Sequence, residues 1–285
     1  MEQRIDLAAP AARWLRQLNT LREPTVLQSF AFDEVHHHLY VLQLTPGGRD
    51  AGDLCLNRLD HTGRRLGHMY LRGFGHGVSM GVQHDTDGTV WIWTEADALD
   101  GHGRGVTRFR FASGRTRTTK DVKVRRPIEG SRNNQPTVCP ATGRIAVRHR
   151  LRGVPRYRVW DLAAFTARDY ASPLADFPQT GAHPDPGAPF QGFALHGDHL
   201  YQLAGNAYDA RTNPPAGHGN TYLSCLDVRT GELLERRRTE AAHSLDHREP
   251  EGLAVRSTGT PRLYLGFASG QEGARRFSIY YKPGG

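Results

Sequence analysis

Gln191-Gly192-Phe193-Ala194-Leu195, followed after a polar turn by Leu200-Tyr201, decides how this chain folds, because the same phrase occurs five times. It returns as Gln28-Ser29-Phe30-Ala31-Phe32 with Leu39-Tyr40-Val41, as Val78-Ser79-Met80-Gly81-Val82 with Val90-Trp91-Ile92, and as Gln135-Pro136-Thr137-Val138-Cys139 with Ile145-Ala146-Val147. The last copy is Glu251-Gly252-Leu253-Ala254-Val255 with Leu263-Tyr264-Leu265. The first positions, 28, 78, 135, 191 and 251, set a period of 50 to 60 residues, slightly above the length of a common four-stranded propeller blade.

The apolar runs are short, rich in Val, Leu, Phe and Tyr, and bounded by Gly, Asp, Asn and Pro, so they read as strands. A strand pair cannot bury its faces alone, whereas repetition around an axis packs each sheet on its neighbours and leaves only short edges. A second, phase-shifted repeat contains Leu59-Asp60-His61-Thr62-Gly63, Phe111-Ala112-Ser113-Gly114, Trp160-Asp161-Leu162 and Leu226-Asp227-Val228-Arg229-Thr230-Gly231. These read as turns joining the third and fourth strands of a blade. The fifth period ends one strand short, after Phe277-Ser278-Ile279-Tyr280-Tyr281, and Arg4-Ile5-Asp6-Leu7 is the expected donor of the closing strand. Residues 10–18 are expected to form a short helix, with Pro10 near its start and Trp14, Leu15 and Leu18 inward. The expectation is therefore an all-β, single five-bladed β-propeller of four-stranded blades, one domain spanning 1–285, with an N-terminal strand closing the last blade.

No apolar run approaches the roughly 18 residues of a membrane span. The opening Met1-Glu2-Gln3-Arg4-Ile5-Asp6 has no apolar core of a secretion signal, which as written points to the cytoplasm, or to secretion if a leader has been removed. Cys55, Cys139 and Cys225 are odd in number, lie in expected strands and have no Cys-x-x-Cys spacing, so they read as buried small residues rather than a disulfide framework. The net charge of +8 favours an anionic partner. The basic residues are nevertheless dispersed, as in Arg104, Arg108, Arg110, Arg115 and Arg117, and no nucleic-acid motif accompanies them, which disfavours nucleic acid.

In a propeller the innermost strands border the axial channel, so the repeated first position converges from all blades. That ring holds Gln28, Gln135, Gln191 and Glu251, with Val78 and the nearby His76 from the second blade, and Asn134 and Arg248 just upstream. Two uses are open: the amides can bond neighbouring backbones and seal the channel, or they can bind a hydroxyl-rich ligand, since Asn and Gln offer donor and acceptor together. Phe190, next to Gln191, is the best-placed stacking surface, whereas Trp91 and Trp93 share strand parity and read as inter-blade core. The ligand-binding expectation is thus Gln28, Asn134, Gln135, Phe190, Gln191 and Arg248.

An enzyme can be built on the same mouth. His76, Glu249 and Glu251 would supply acid–base groups for a lyase, hydrolase, isomerase or cyclase, with Arg248 holding a substrate anion. The competing reading is an Arg248–Glu249 pair that only fixes the final blade. Glu95 and the run Arg148-His149-Arg150 are charges near strands whose direction, channel or solvent, is left open.

No metal and no cofactor are expected. Three consecutive rings in His36-His37-His38 cannot all face one ion in an extended segment, so that run reads as an exposed turn. Asp85-Thr86-Asp87-Gly88 lacks the downstream glutamate of a calcium loop. Neither a dinucleotide or phosphate-binding Gly-rich loop nor a Gly-x-Ser-x-Gly elbow occurs. The Pro/Gly-rich segments Ala171 to Pro189 and Asn213 to Asn220 are expected to be irregular loops shaping one mouth of the channel.

The phrases Gln28-Ser29-Phe30-Ala31-Phe32-Asp33, Gly52-Asp53-Leu54-Cys55, Leu66-Gly67-His68-Met69, Gly73-Phe74-Gly75-His76-Gly77-Val78-Ser79, Arg248-Glu249-Pro250-Glu251-Gly252 and Leu265-Gly266-Phe267-Ala268-Ser269-Gly270 span the chain. In them it resembles actinobacterial proteins labelled teichoic acid biosynthesis protein C, part of a wider five-bladed β-propeller group similar to receptor-binding propellers of staphylococcal phages and to helveticin-type bacteriocins. The resemblance implies a propeller that recognises a cell-envelope polymer such as teichoic acid, and it carries over no catalytic residues.

Overall fold

The computed structural model describes residues 4–214 and 216–284. Twenty strands build five sheets around one axis. Blade 1 contains β1's neighbour in the ring, the meander β2 (Leu27–Asp33), β3 (His38–Leu44), β4 (Leu54–Asp60) and β5 (Arg65–Arg72), where β1 is Ala12–Leu18. Blade 2 is β6 (Gly81–His84), β7 (Val90–Leu99) and β8 (His102–Phe109), after which β9 (Thr116–Thr118) crosses back to pair parallel with β5. Blade 3 is β10 (Arg132–Cys139), β11 (Arg144–Leu151), β12 (Val154–Asp161) and β13 (Ala175–Pro178). Blade 4 is β14 (Phe190–His196), β15 (His199–Ala204), β16 (Thr221–Asp227) and β17 (Leu233–Thr239). Blade 5 is β18 (Glu249–Arg256), β19 (Arg262–Ser269) and β20 (Arg276–Lys282), completed by β1.

The ring therefore closes with an N-terminal strand, but a different one from that expected. Residues 10–18, read from sequence as a helix, contain β1, whose Ala12 pairs with Tyr281 and Leu18 with Phe277. The free edge of β20 decides this, because a strand there satisfies backbone groups that a surface helix would leave unpaired. Arg4 to Leu7 forms no closing strand: it contributes an isolated Ile5–Gly284 bridge and two fully buried side chains, Ile5 and Leu7, between blades 4 and 5.

Blades 1 and 2 also depart from four strands each, with five in the first and three in the second. The segment after Phe111-Ala112-Ser113-Gly114 crosses to blade 1 instead of making a hairpin, and the outer edge of blade 2 meets the Val106–Arg125 bridge and a Thr107–Lys123 hydrogen bond in place of a fourth strand. Trp160-Asp161-Leu162 is likewise no hairpin. Asp161 caps the short helix α1 (Leu162–Thr166), its carboxylate accepting the Ala164 N–H. The chain then returns as β13, so the segment from Ala171 to Pro189 is not wholly irregular.

One apolar cluster fills each junction between neighbouring blades. Examples are Leu42, Leu56, Phe74 and Ile92 between blades 1 and 2, and Trp93, Val147, Trp160 and Phe165 between blades 2 and 3. Cys55, Cys139 and Cys225 are buried and unpaired, as expected.

Close packing continues to the axis through the second position of the repeat. Ser29 Oγ donates to Gly77 O (2.5 Å), tying blade 1 to blade 2, and Ser79 Oγ donates to Pro136 O (2.9 Å), tying blade 2 to blade 3. A Cβ on Gly252 would lie 2.8 Å from Ser29 Cα, and one on Gly192 would lie 3.0 Å from Gly252 Cα, so blades 4, 5 and 1 meet backbone to backbone. Only glycine permits that approach, and Gly252 also has φ +80°.

Closure can be tested at Leu15, which is 7% exposed and packs where blade 5 meets blade 1. Leu15→Ala is expected to lower the unfolding free energy by about 2–5 kcal/mol in urea titration. A loss below about 0.5 kcal/mol, the size of an ordinary surface change, would mean that β1 does not hold the ring shut.

Candidate functional site

Four of the five inner strands break their register where they reach the axis, β6 of blade 2 being the exception. The ladder slips between Leu27 and Ser29 in β2, between Arg132 and Gln135 in β10, between Phe190 and Gly192 in β14, and between Pro250 and Leu253 in β18. Gln28, Gln191 and Glu251 occupy the slipped positions, and Gln135 follows directly on one. A bulge turns a side chain out of the pleat, and here the turn is toward the axis: all four residues line one cavity of about 1160 Å3. Gln28 Nε2 lies 3.4 Å from Glu251 Oε1, a contact between residues 223 apart in sequence.

Blade 2 has Val78 in this place, and its polar contribution comes from His76 and His102, whose rings stack with centroids 5.5 Å apart. Glu95 holds that loop from behind. Fully buried, it accepts the N–H of Gly77 (2.6 Å) and of Gly103 (2.7 Å). A Cβ at Gly75 would fall 2.2 Å from the Glu95 carboxylate, so the loop can close on it only through glycine. Burial pushes the Glu95 carboxyl up to about 7, with the backbone N–H groups pulling the other way. Burial, then the neighbouring His102 and Arg49, push His76 down to about 4, so its ring is neutral near pH 7.

Cations come from positions that the repeat did not mark. Arg148 and Arg150 alternate with His149 on β11, and both arginines line the cavity while His149 is buried on the other face. Arg148 donates to Gln135 Oε1 (3.0 Å) and Gln179 Oε1 (2.7 Å), and its guanidinium lies 3.9 Å from the centre of the Phe190 ring. Arg49 and Arg275 add charge from the loops of blades 1 and 5. Glu249, Glu251 and Glu272 oppose them. Burial, and then repulsion from Glu249, raise the Glu251 carboxyl well above the usual range, and Arg49, Arg148, Arg150 and Arg275 outnumber Glu249, Glu251 and Glu272 in the lining, so the cavity carries an excess of positive charge.

Of the expected binding residues, Gln28, Gln135, Phe190 and Gln191 line the cavity, as do the three acid–base candidates His76, Glu249 and Glu251. Asn134 does not. It is fully buried, with Nδ2 donating to Gly103 O and Oδ1 accepting from Ser131 Oγ, and Asn133 faces the cavity instead because the slip in β10 exchanges the two.

Arg248 is also absent from the lining. Its side chain is fully buried, donating to Thr221 Oγ1, Thr239 O and Ala241 O, with the Phe267 ring 4.4 Å from its guanidinium carbon. Desolvation drives its pKa down to about 10. The expected Arg248–Glu249 pair is replaced by these contacts, and Glu249 Oε2 instead lies 3.3 Å from His247 Nε2.

Trp93 is buried between blades, whereas Trp91 is half-buried, bonded to Asp85 Oδ2 (2.7 Å), and faces no part of the cavity. Pro186 to Pro189 do shape the mouth, but the described residues of the Asn213 to Asn220 segment lie elsewhere, where Gly219 abuts Tyr208.

With this geometry the chain can be compared with known proteins. A family described as the phage five-bladed beta propeller receptor binding platform domain matches residues 26–142. The chain resembles the phage-type receptor-binding propellers. A Bacillus subtilis (strain 168) protein whose name places it in teichoic acid biosynthesis, as protein C, is 26% identical over 275 residues, covering 90% of this chain and 59% of that protein. Among solved structures, the tail fibre of Staphylococcus aureus phage P68 superposes with a TM-score of 0.72 at 17% identity, over 95% of this chain and 53% of the fibre chain. The chain thus spans somewhat more than half the length of these relatives. A GH43_1 enzyme from Xanthomonas citri shares the fold more loosely, with a TM-score of 0.53 at 15% identity over 95% of this chain and 90% of that one. No helix among the described residues is long and apolar enough to cross a membrane.

Two outcomes check these assignments. A Glu95 carboxyl raised from 4.5 to about 7 contributes stability that is fully present below about pH 4.5 and lost as pH rises through about 7, because the folded chain keeps a proton that the unfolded chain has released. Glu95→Gln should flatten that part of the pH–stability curve in urea titrations. It should also cost about 1–3 kcal/mol, since its amide sets a donor against a backbone N–H. Arg248→Ala should destabilise by about 2–5 kcal/mol through the cavity and the carbonyls it leaves unpaired, an effect on the unfolding midpoint that would be missing if its guanidinium served a ligand.

Proposed function

We propose that the axial mouth binds a hydroxyl-rich, anionic envelope polymer of the teichoic acid type. The observation that carries this reading is the composition of one cavity fed by all five blades. Amides of Gln28, Gln135 and Gln191 suit hydroxyl groups, and the guanidiniums of Arg49, Arg148 and Arg150 suit phosphate. The Arg148–Phe190 stack presents a flat surface with a cation on it. The phage receptor-binding family and the name of the Bacillus subtilis relative support a ligand from the bacterial envelope.

Binding of poly(glycerol phosphate) by the full chain, measured calorimetrically, is expected to weaken about 10-fold or more in Arg148→Ala and in Phe190→Ala, and to weaken with added salt. Unchanged affinity in Arg148→Ala, or equal binding of an uncharged glycan, would overturn the assignment.

One observation supports acid–base chemistry as a second reading. Glu251, biased toward its neutral form, shares the cavity with Glu249 and with neutral His76, an arrangement that separates a proton donor from an acceptor. Under that reading Glu249→Gln and His76→Ala abolish turnover of a small substrate and spare its affinity. For a binding module both variants affect affinity alone.

A further inference from the structure

We infer that the rim opposite the mouth carries a divalent metal site, formed by Asp33, His36 and His84, that takes Zn2+ and joins blade 1 to blade 2. β2 leaves the cavity at Gln28 and ends at Asp33, about 17 Å farther along an extended strand, so the site is separate from the mouth. His36 lies in the turn that follows, and His84 ends the inner strand of the next blade.

The three side chains offer ligand atoms that all lie within 4.8 Å of one another. His84 Nε2 is 2.8 Å from Asp33 Oδ1, and His36 Nδ1 is 3.1 Å from both Asp33 oxygens. Ligands bonded to one tetrahedral Zn2+ at about 2.0–2.1 Å stand about 3.3 Å apart. The two Asp33 contacts therefore need to open by only a few tenths of an ångström, and the His36 and His84 nitrogens, no more than 4.8 Å apart, close on the ion by rotation of the exposed His36 ring.

The local backbone serves this convergence. His37 has φ +57° and turns its ring against His61, with centroids 5.5 Å apart. His36 and His38, on either side of it, stack with an interplanar angle of 14° and both address Asp33, His38 Nδ1 lying 3.5 Å from Oδ2. Three imidazoles thus meet a carboxylate that is 0% exposed, more than a single acceptor needs for hydrogen bonding. Two imidazole nitrogens and one carboxylate oxygen form a borderline set suited to Zn2+, with a position left for water. The 44% exposure of the His36 side chain gives the ion a way in. His38, just outside the set, would orient Asp33 from its second oxygen.

The test is a calorimetric titration of the untagged full chain, first stripped with chelator, with ZnCl2 alone, and in parallel a Co2+ titration read by visible absorption. Saturable uptake of one ion per chain is expected, with a tetrahedral Co2+ spectrum and a higher melting temperature in Zn2+. His36→Ala and His84→Ala should each weaken binding about 10-fold or more and abolish the thermal shift, whereas His37→Ala should match the unsubstituted chain. These side chains are partly exposed, so far-UV circular dichroism checks that the variants remain folded. Absence of saturable heat, or uptake undiminished in folded His84→Ala, would overturn the site.

Discussion

The structure depends on how closely the inner strands can approach the axis. At the second position of the repeat, Gly192 meets Gly252, Gly252 meets Ser29, and Ser29 and Ser79 each donate to a backbone carbonyl of the next blade. Larger side chains there would hold the blades apart and open the channel. The first position gains its function from the same approach: side chains that leave their ladders at the bulges have only the shared mouth to enter, and there Gln28 reaches Glu251. A second requirement is the free edge of β20, which β1 covers.

The mouth is polar in two ways. Its amides sit at equivalent places in three blades, a consequence of the repeat. Its other polar groups do not repeat: the cations Arg148 and Arg150 come from a second strand and Arg49 and Arg275 from loops, while the neutral ring of His76 comes from the loop held by Glu95 and His102 from the start of β8. Symmetry supplies the frame, and departures from symmetry supply the chemical character that distinguishes this mouth from an empty channel. Blade 2 illustrates the point, since its apolar Val78 is accompanied by the stacked His76 and His102.

Much of this was legible from residue order. The repeat identified the blades and the level at which Gln28, Gln135, Gln191 and Glu251 meet, because strand parity and period act over short distances. Arg248 was misread as a ligand group because a charged residue one step from a ring position looks exposed. The sequence has no mark for Thr221, Thr239 and Ala241, which come together to bond it. Asn134 and Asn133 exchanged places through a register slip, which alternation alone cannot locate. The parity of Arg148 and Arg150 about His149 was the available signal for the missed cations. Likewise, Asp33, His36 and His38 meet within one hairpin of blade 1, but His84 joins them only once two blades are placed side by side.

By itself, then, the order of residues determined the repeat, the strands and the ring of first positions, since each follows from local periodicity and from the need to bury apolar faces. Tertiary structure alone decided that Ala12–Leu18 is a strand, that blade 2 gives up its fourth strand, and that Arg248 is interior while Arg148 faces the cavity. The physical reason is that these outcomes turn on which partner an edge or a charge finds across the ring. An unpaired edge draws in a segment whose own propensity is indifferent, and a buried charge persists where carbonyls from distant parts of the chain converge on it.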